Sequence, residues 1–360
     1  MWPPYRKFTI QSVVEESESA KSFILIPVDG GPLEPYIPGQ HLPLRLQIPG
    51  QPRPVIRCYT LSDCFNERYY RLTIKKELPP PNQENIPPGL SSTYFHEALQ
   101  AGDVIEAKAP SGKFHLDPNL THPVVMLAGG IGVTPIISMI NGLCQAGSDR
   151  EVYFIFALRH GGDHVFKKHL RSVAVRYPNI HMCVLYENPR PQDVPGQDYD
   201  RIGRIDIALL QESLPSLDME YCVCGPSGMM DAISEALMNE GVPRERIRTE
   251  SFGPSSLSFR SALADEEEDT HADTLPELTV TFAKSGKTVS WRRDAATLLE
   301  FAEMNEVDIS FGCRYGDCGT CLTRLLRGRV QYLHPTDVHP DPGTCLPCSC
   351  KPETAIELDA

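Results

Sequence analysis

The sequence predicts a multidomain chain: an antiparallel β-barrel, then a doubly wound α/β domain on a parallel sheet, then a small α+β module. Three observations carry this. Short alternating strands bounded by Gly and Pro fill residues 5–116, buried strands exchange with amphipathic helices from 123 onward, and a hairpin and helix precede a cysteine-rich loop near the end. The length of 360 residues exceeds one ordinary core, so two or three domains are expected.

The first segment reads as the strands KFTIQSVVEES, SFILIPV, HLPLRLQI, VIRCYTLSD, YYRLTIKKEL and DVIEAKAP. Their β-branched alternation suits a barrel. One helix interrupts them, in GLSSTYFHEALQAG, where serines can cap the start and Gly102 stands past the last apolar position. The second segment runs PVVMLAGG (strand), TPIISMINGLCQAG (helix), EVYFIFALR (strand), DHVFKKHLRSVAVRY (helix) and NIHMCVLYE (strand). DIALLQESL (helix), MEYCVCGP (strand) and GMMDAISEALMNEG (helix) complete it. Such exchange implies a parallel sheet covered on both faces, the style of a nucleotide-binding domain. Residues 255–274 lose periodicity and carry the acidic run Asp265 to Asp269, which reads as a linker. Beyond it, ELTVTFAKSGKTVSWRR reads as a hairpin turned at Ser285-Gly286 and AATLLEFAEMN as a helix. The expected boundaries are thus 1–118, 119–254, a linker at 255–274, and 275–360.

Hydrophobic residues at 41% and charged residues at 22% describe a folding globular chain. A net charge of −13 argues against general nucleic-acid binding, which needs clustered Lys and Arg. MWPPYRKFTI has no apolar run behind its charges, so no secretory signal is read there and a cytoplasmic location is expected. The longest apolar stretch, residues 124–140, is short for a bilayer span and is broken by glycines and a proline, so no membrane partner is expected.

Six of the 12 cysteines fall between Cys313 and Cys350, which suggests a metal site rather than a disulfide framework. Cys58, Cys144 and Cys183 lie in apolar runs and read as buried, inert thiols. Cys313, Cys318 and Cys321 form C-x4-C-x2-C, the spacing of a plant-type [2Fe–2S] site whose fourth ligand is remote. Gly316 and Gly319 let backbone N–H groups approach the bridging sulfides. Cys345, Cys348 and Cys350 all qualify by distance as the fourth ligand. A zinc ribbon built from Cys318, Cys321, Cys345 and Cys348 competes, but it leaves Cys313 unused.

LPCSCKPETAIELDA resembles the closing segment of plant-type ferredoxins, which have a β-grasp fold. The resemblance places the fourth ligand at Cys348, with Cys350 a packed neighbour and Cys345 a partly exposed spare. RCYTLS resembles the R-x-Y-S/T motif of the ferredoxin-NADP reductase superfamily, with IPGQHL in the preceding strand and GLSSTYFHEALQAG as the flavin-phosphate helix. It implies flavin contacts from His41, Arg57, Tyr59, Thr60, Ser62, Gly89 and Ser92, although His41 stands where flavohemoglobins carry a tyrosine. LAGGIGVTPIISMI is similar to the superfamily's nicotinamide-dinucleotide turn, which implies that Gly130, Ile131, Gly132, Val133, Thr134 and Pro135 hold the pyrophosphate. CVCGP and ESFGP are similar to its strand end and flavin-reaching segment, implying roles for Cys224, Gly225, Pro226, Glu250 and Phe252. Cys224, Tyr59 and Thr60 would act in catalysis.

The resemblance implies an NAD(P)H-dependent oxidoreductase. The local motifs resemble the FAD-using reductase unit of flavohemoglobins, whereas the domain order resembles phthalate dioxygenase reductase, which uses FMN. FAD is the expected flavin, with FMN as the alternative. Arg159 has no basic neighbours to complete a 2′-phosphate site, which favours NADH over NADPH. A donor of paired electrons ahead of a one-electron cluster implies a flavin between them and a one-electron protein acceptor. That acceptor is expected to be a Rieske-type oxygenase, with a haem protein or hybrid-cluster protein as the alternative. A redox-sensing iron–sulfur flavoprotein is the competing class.

Overall fold

The computed structural model describes residues 5–51, 54–79, 87–116, 122–250, 252, 278–292, 295–311, 316, 319, 321–333, 336 and 338–360. The expected linker 255–274 and the expected boundary at 118/119 lie outside them. The chain forms two compact units, residues 1–250 and 251–360.

The first unit begins with strands β1 (Arg6–Glu15), β2 (Ala20–Pro27), β3 (His41–Leu46), β4 (Val55–Thr60), β5 (Tyr70–Lys75) and β6 (Val104–Ala107). Their order is β4-β3-β6-β1-β2-β5, with every pairing antiparallel. The ends meet through a Leu61–Leu72 bridge and a bond from Ser62 N–H to Arg71 O at 2.8 Å, which closes a barrel. Alternate residues fill its interior, among them Phe8, Ile10, Phe23, Leu25, Leu42, Leu44 and Leu72. Helix α1 (Leu90–Glu97) plugs one end, setting Phe95 edge-on to Phe23 at 5.0 Å.

Strands β7 (Val124–Gly129), β8 (Val152–Leu158), β9 (Ile180–Tyr186), β10 (Arg201–Ile202), β11 (Glu220–Cys224) and β12 (Ile247–Glu250) form the second sheet. It is wholly parallel, in the order β10-β9-β8-β7-β11-β12. The order reverses beside β7, where open α/β sheets bind ligands. Met126, Phe154, Phe156 and Cys222 face one core with helices α2 (Val133–Gln145) and α3 (Lys167–Arg176). Val125, Leu127, Ile155, Tyr221 and Val223 face the other with α4 (Ile207–Ser213) and α5 (Ser227–Asn239). The third predicted helix starts later than its sequence suggests, because Gly161–Asp163 forms a 3₁₀ turn and Phe166 takes φ 57° before Lys167. Strands β10 and β12 lie beyond the sequence reading.

Barrel and sheet are fastened at α2. Ser138 Oγ donates to Asp63 O (2.5 Å) and accepts from Gly39 N–H (3.1 Å), while Asn141 Nδ2 donates to Asp63 Oδ1 at 2.8 Å. Gly39, at φ 105°, must be glycine, since a Cβ there would lie 2.3 Å from Phe114 O.

The second unit holds β13 (Thr279–Phe282), β14 (Lys287–Ser290), α6 (Leu298–Met304), β15 (Thr323–Arg327), β16 (Val330–Tyr332), β17 (Thr344–Cys345), β18 (Cys350–Pro352) and β19 (Ile356–Leu358). The sheet runs β14-β13-β19-β15-β17, with β13 and β19 parallel, and β16 pairs with β18. This is a β-grasp arrangement, and its lead-in hairpin and helix are not those of a zinc ribbon. Helix α6 carries a reciprocal cap: Thr297 Oγ1 accepts Glu300 N–H (3.2 Å), and Glu300 Oε2 accepts Ala296 N–H (2.8 Å). No helix among the described residues is long and apolar enough to cross a membrane.

Candidate functional site

The turn after β7 is built by close packing. Gly130–Gly132 make a 3₁₀ turn, and α2 follows at once with Thr134 and Pro135 in its first turn. Thr134 Oγ1 donates to Ile131 O at 3.0 Å, tying the turn to the helix. A Cβ at Gly132 would lie 2.2 Å from Cys224 O and 2.7 Å from Gly225 N, so the turn lies directly against the end of β11. A Cβ at Gly129 would meet Pro226 Cδ at 2.7 Å. Gly130 differs: its φ is 54° and nothing stands within 4 Å of its missing Cβ. The helix start therefore presents an open backbone face, which fits a dinucleotide phosphate.

On the barrel, β3 pairs with β4 so that His41 stands opposite Thr60 and Leu42 opposite Tyr59. The Tyr59 ring packs edge-on against Phe95 at 5.3 Å, and burial raises its hydroxyl pKa. The Thr60 hydroxyl oxygen is buried and has no hydrogen-bond partner among the described residues. An orphaned polar atom of this kind suits a bound group that supplies the partner. Arg57 is exposed and donates from Nη1 to Ile56 O at 2.7 Å. Ser62 bonds Arg71 O (3.2 Å) and Thr73 Oγ1 (2.7 Å). Ser92 Oγ donates to Gly89 O (3.0 Å) and accepts Glu77 N–H (3.1 Å), so it braces the start of α1. These residues fit a flavin with an anionic tail.

Two registers meet where barrel and sheet join. Cys224 pairs with Ala128 on one side and Glu250 on the other. Its side chain has no exposed surface, and burial, then Glu250, pushes its thiol well above the usual range. Cys224 is therefore a neutral thiol. Gly225 and Pro226 follow on the loop that covers the turn. Glu250 is 8% exposed and lies 3.7 Å from His41 Nδ1. Phe252 is exposed. His41, expected to contact the flavin, is buried among Thr60, Ser111 and Glu250. Ser111 and Gly112, which hold it, were not singled out; their signal was the Ser-Gly pair of APSGKF, with Gly112 at φ 121°.

In the second unit, Cys313 and Cys318 lie outside the described residues. Cys321 and Cys348 converge, with their sulfurs 3.1 Å apart and both side chains buried. Their convergence in one buried spot suits two thiolates on one iron, whose tetrahedral bonds would hold the sulfurs further apart. Gly316 takes φ 90°, and a Cβ there would strike Thr336 Cγ2 (2.4 Å) and Ser349 Oγ (2.5 Å). Cys350 donates to Leu346 O at 3.1 Å, and its hydrogen bond to Cys345, followed by burial, keeps it a thiol. Cys345 is fully buried, not partly exposed, because Thr323 of β15 pairs with it. Cys58, Cys144 and Cys183 are half-buried rather than buried.

Three family models match in series: an oxidoreductase FAD-binding domain over residues 9–116, an oxidoreductase NAD-binding domain over 126–235, and a 2Fe-2S iron-sulfur cluster binding domain over 280–353. A flavohemoprotein of Halalkalibacterium halodurans is 37% identical over 254 residues, covering 71% of this chain and 61% of that one. The chain thus spans less than two thirds of the length of that relative. Phthalate dioxygenase reductase matches over 99% of this chain and 98% of its own, with TM-score 0.63 and 22% identity. An intact type IV self-sufficient cytochrome P450 monooxygenase matches over 99% of this chain and 41% of its own, with TM-score 0.65 and 21% identity.

Proposed function

We propose, from the premise that this chain belongs to the ferredoxin-NADP reductase superfamily and joins FAD-binding, NAD-binding and [2Fe–2S] domains in the order of phthalate dioxygenase reductase, that it is an NADH-dependent electron-transfer reductase serving a one-electron protein acceptor. The observation that carries this is the union, in one chain, of a dinucleotide turn and a thiolate site. When bound, FAD supplies the conversion of a hydride's two electrons into single electrons for the cluster.

The chain's own residues do the rest. Gly130 leaves room for the pyrophosphate, and the amides that open α2 face it. Thr60 offers its hydroxyl to the flavin, and Arg57 with the start of α1 meets the anionic tail. Cys224, as a neutral thiol, shapes the nicotinamide pocket without competing as a nucleophile. Glu250 places the site's carboxylate at the edge of the sheet. Cys321 and Cys348 supply two of the four iron ligands, and Cys313 and Cys318 supply the others.

For the acceptor, a Rieske-type oxygenase follows from the likeness in domain order to phthalate dioxygenase reductase. A haem protein is the second reading, favoured by the likeness to a self-sufficient P450 over 99% of this chain and the 37% identity to a flavohemoprotein. The test is anaerobic mixing with NADH and cytochrome c. Reduction that vanishes in Cys321→Ser, while NADH still bleaches the FAD, supports the relay. Cytochrome c reduction that persists in the variant refutes it, as does wild-type protein that reduces nothing.

A further inference from the structure

His41 belongs to neither of the loops that cradle a cofactor, yet it occupies the joint between them. It stands opposite Thr60 on the barrel, and Glu250 stands opposite Cys224 on the parallel sheet. The two pairs are linked by the contact of His41 Nδ1 with Glu250 Oε1 at 3.7 Å, with the side chains only 5% and 8% exposed. The ring is held from behind. His41 exchanges backbone bonds with Ser111 (2.8 and 2.9 Å), and its Nε2 lies 3.3 Å from Ser111 Oγ. Gly112 closes the seat, since a Cβ there would fall 2.8 Å from Nδ1 and 3.0 Å from Cε1.

A carboxylate as buried as Glu250 is costly unless a cation meets it. The titratable groups around the ring are Cys58 from β4 and Glu250 from β12, and Cys224 adjoins Glu250. Burial works against a charged ring at His41; Cys58 and then Glu250 overcome this and raise its pKa to about 10.

We propose that His41 is a positioning residue: from the FAD barrel it holds the Glu250 carboxylate of the NAD sheet, so that both sides of the hydride-transfer site are fixed by one buried charge pair. This rests on the reading of Thr60, Cys224 and Glu250 as the residues around that site. The two partners act as a unit, so removing one takes the opposite charge from the other, and removing both costs no more than removing one.

The experiment uses the full-length holoenzyme and the variants His41→Asn, Glu250→Gln and the double variant. Each single change is expected to slow FAD bleaching by NADH at least tenfold, with the double variant no slower than the slower single. The FAD midpoint potential is titrated with dithionite at pH 8, without NADH. Losing the cation lowers the reduced-to-oxidised ratio about tenfold at a fixed poise, a fall of about 30 mV, while Glu250→Gln shifts it upward and the double variant returns toward wild type. In the imidazole NMR titration, Glu250→Gln moves the His41 midpoint down from about 10. Multiplying rate effects, or a potential and a His41 midpoint that stay put, overturn the proposal. If His41→Asn loses its flavin, His41→Gln carries the same comparison. Wild-type protein that NADH does not bleach would instead overturn the functional reading, before any variant is compared.

Discussion

Gly132→Ala isolates the packing of the dinucleotide turn from its chemistry. Gly132 has φ −59°, which alanine adopts without strain, so the substitution acts through space alone. Its new methyl carbon would sit 2.2 Å from Cys224 O and 2.5 Å from Cys224 C, roughly 1 Å short of ordinary non-bonded contact. Both obstacles are backbone atoms of a central strand, so neither can swing aside. Relief requires the turn and the end of β11 to part by about 1 Å, at the upper end of the ~1–3 kcal/mol that overpacking costs. A displacement of that size at a reacting centre is worth about 10²-fold in rate. The expected result is a lower urea midpoint, together with FAD reduction by NADH slowed about 100-fold. Gly130→Ala is the contrast, for its methyl meets open space and pays only the ~1–2 kcal/mol of a left-handed backbone. Equal stability and equal reduction rates in Gly132→Ala and wild type would refute this account of the turn.

Three other outcomes follow from the same structure. Cys348→Ser should lose cluster iron and the visible iron–sulfur bands, whereas Cys345→Ser should keep them; iron and acid-labile sulfide assays decide, and the reverse pattern would move the fourth ligand. Thr60→Val removes a buried hydroxyl without a partner among the described residues, so it should stabilise FAD-free protein by about 1 kcal/mol and weaken FAD binding, as thermal melts with and without FAD would register. His164 is buried, and burial, then Lys167 and Arg171, lower its pKa from 6.5 to about 3. The native ring thus stays neutral while the unfolded one takes up a proton below pH 6.5. Stability should fall by up to about 1.4 kcal/mol per pH unit from there toward pH 3, and His164→Asn should remove that slope from urea midpoints taken at pH 7, 6 and 5.

The barrel and the parallel sheet were legible because their strands are buried by alternation or throughout, and burial writes itself into residue type. Strand β12 was not: Ile247–Glu250 reads IRTE, too short and too polar to show a strand pattern, and only the fold sets its closing carboxylate beside His41. The contact of His41 with Glu250 was hidden for the matching reason, since only the fold brings together two residues 209 positions apart. Helix α3 was overextended at its start, where the two glycines before Asp163 favour a tight turn. Cys345 read as partly exposed because the sequence does not disclose its place in the pairing of β15 and β17.

The grip of Ser138 and Asn141 on Asp63 has a bearing on how such reductases can be recombined. Asp63 follows the flavin motif directly, while its two holders lie on the helix that opens with the dinucleotide turn. A chimaera that swapped the coenzyme half for that of another reductase, seeking a new electron donor, would inherit a helix cut for a different socket. The exchange would need to import residues 138 and 141 to match Asp63, or carry the neighbouring loop across with them.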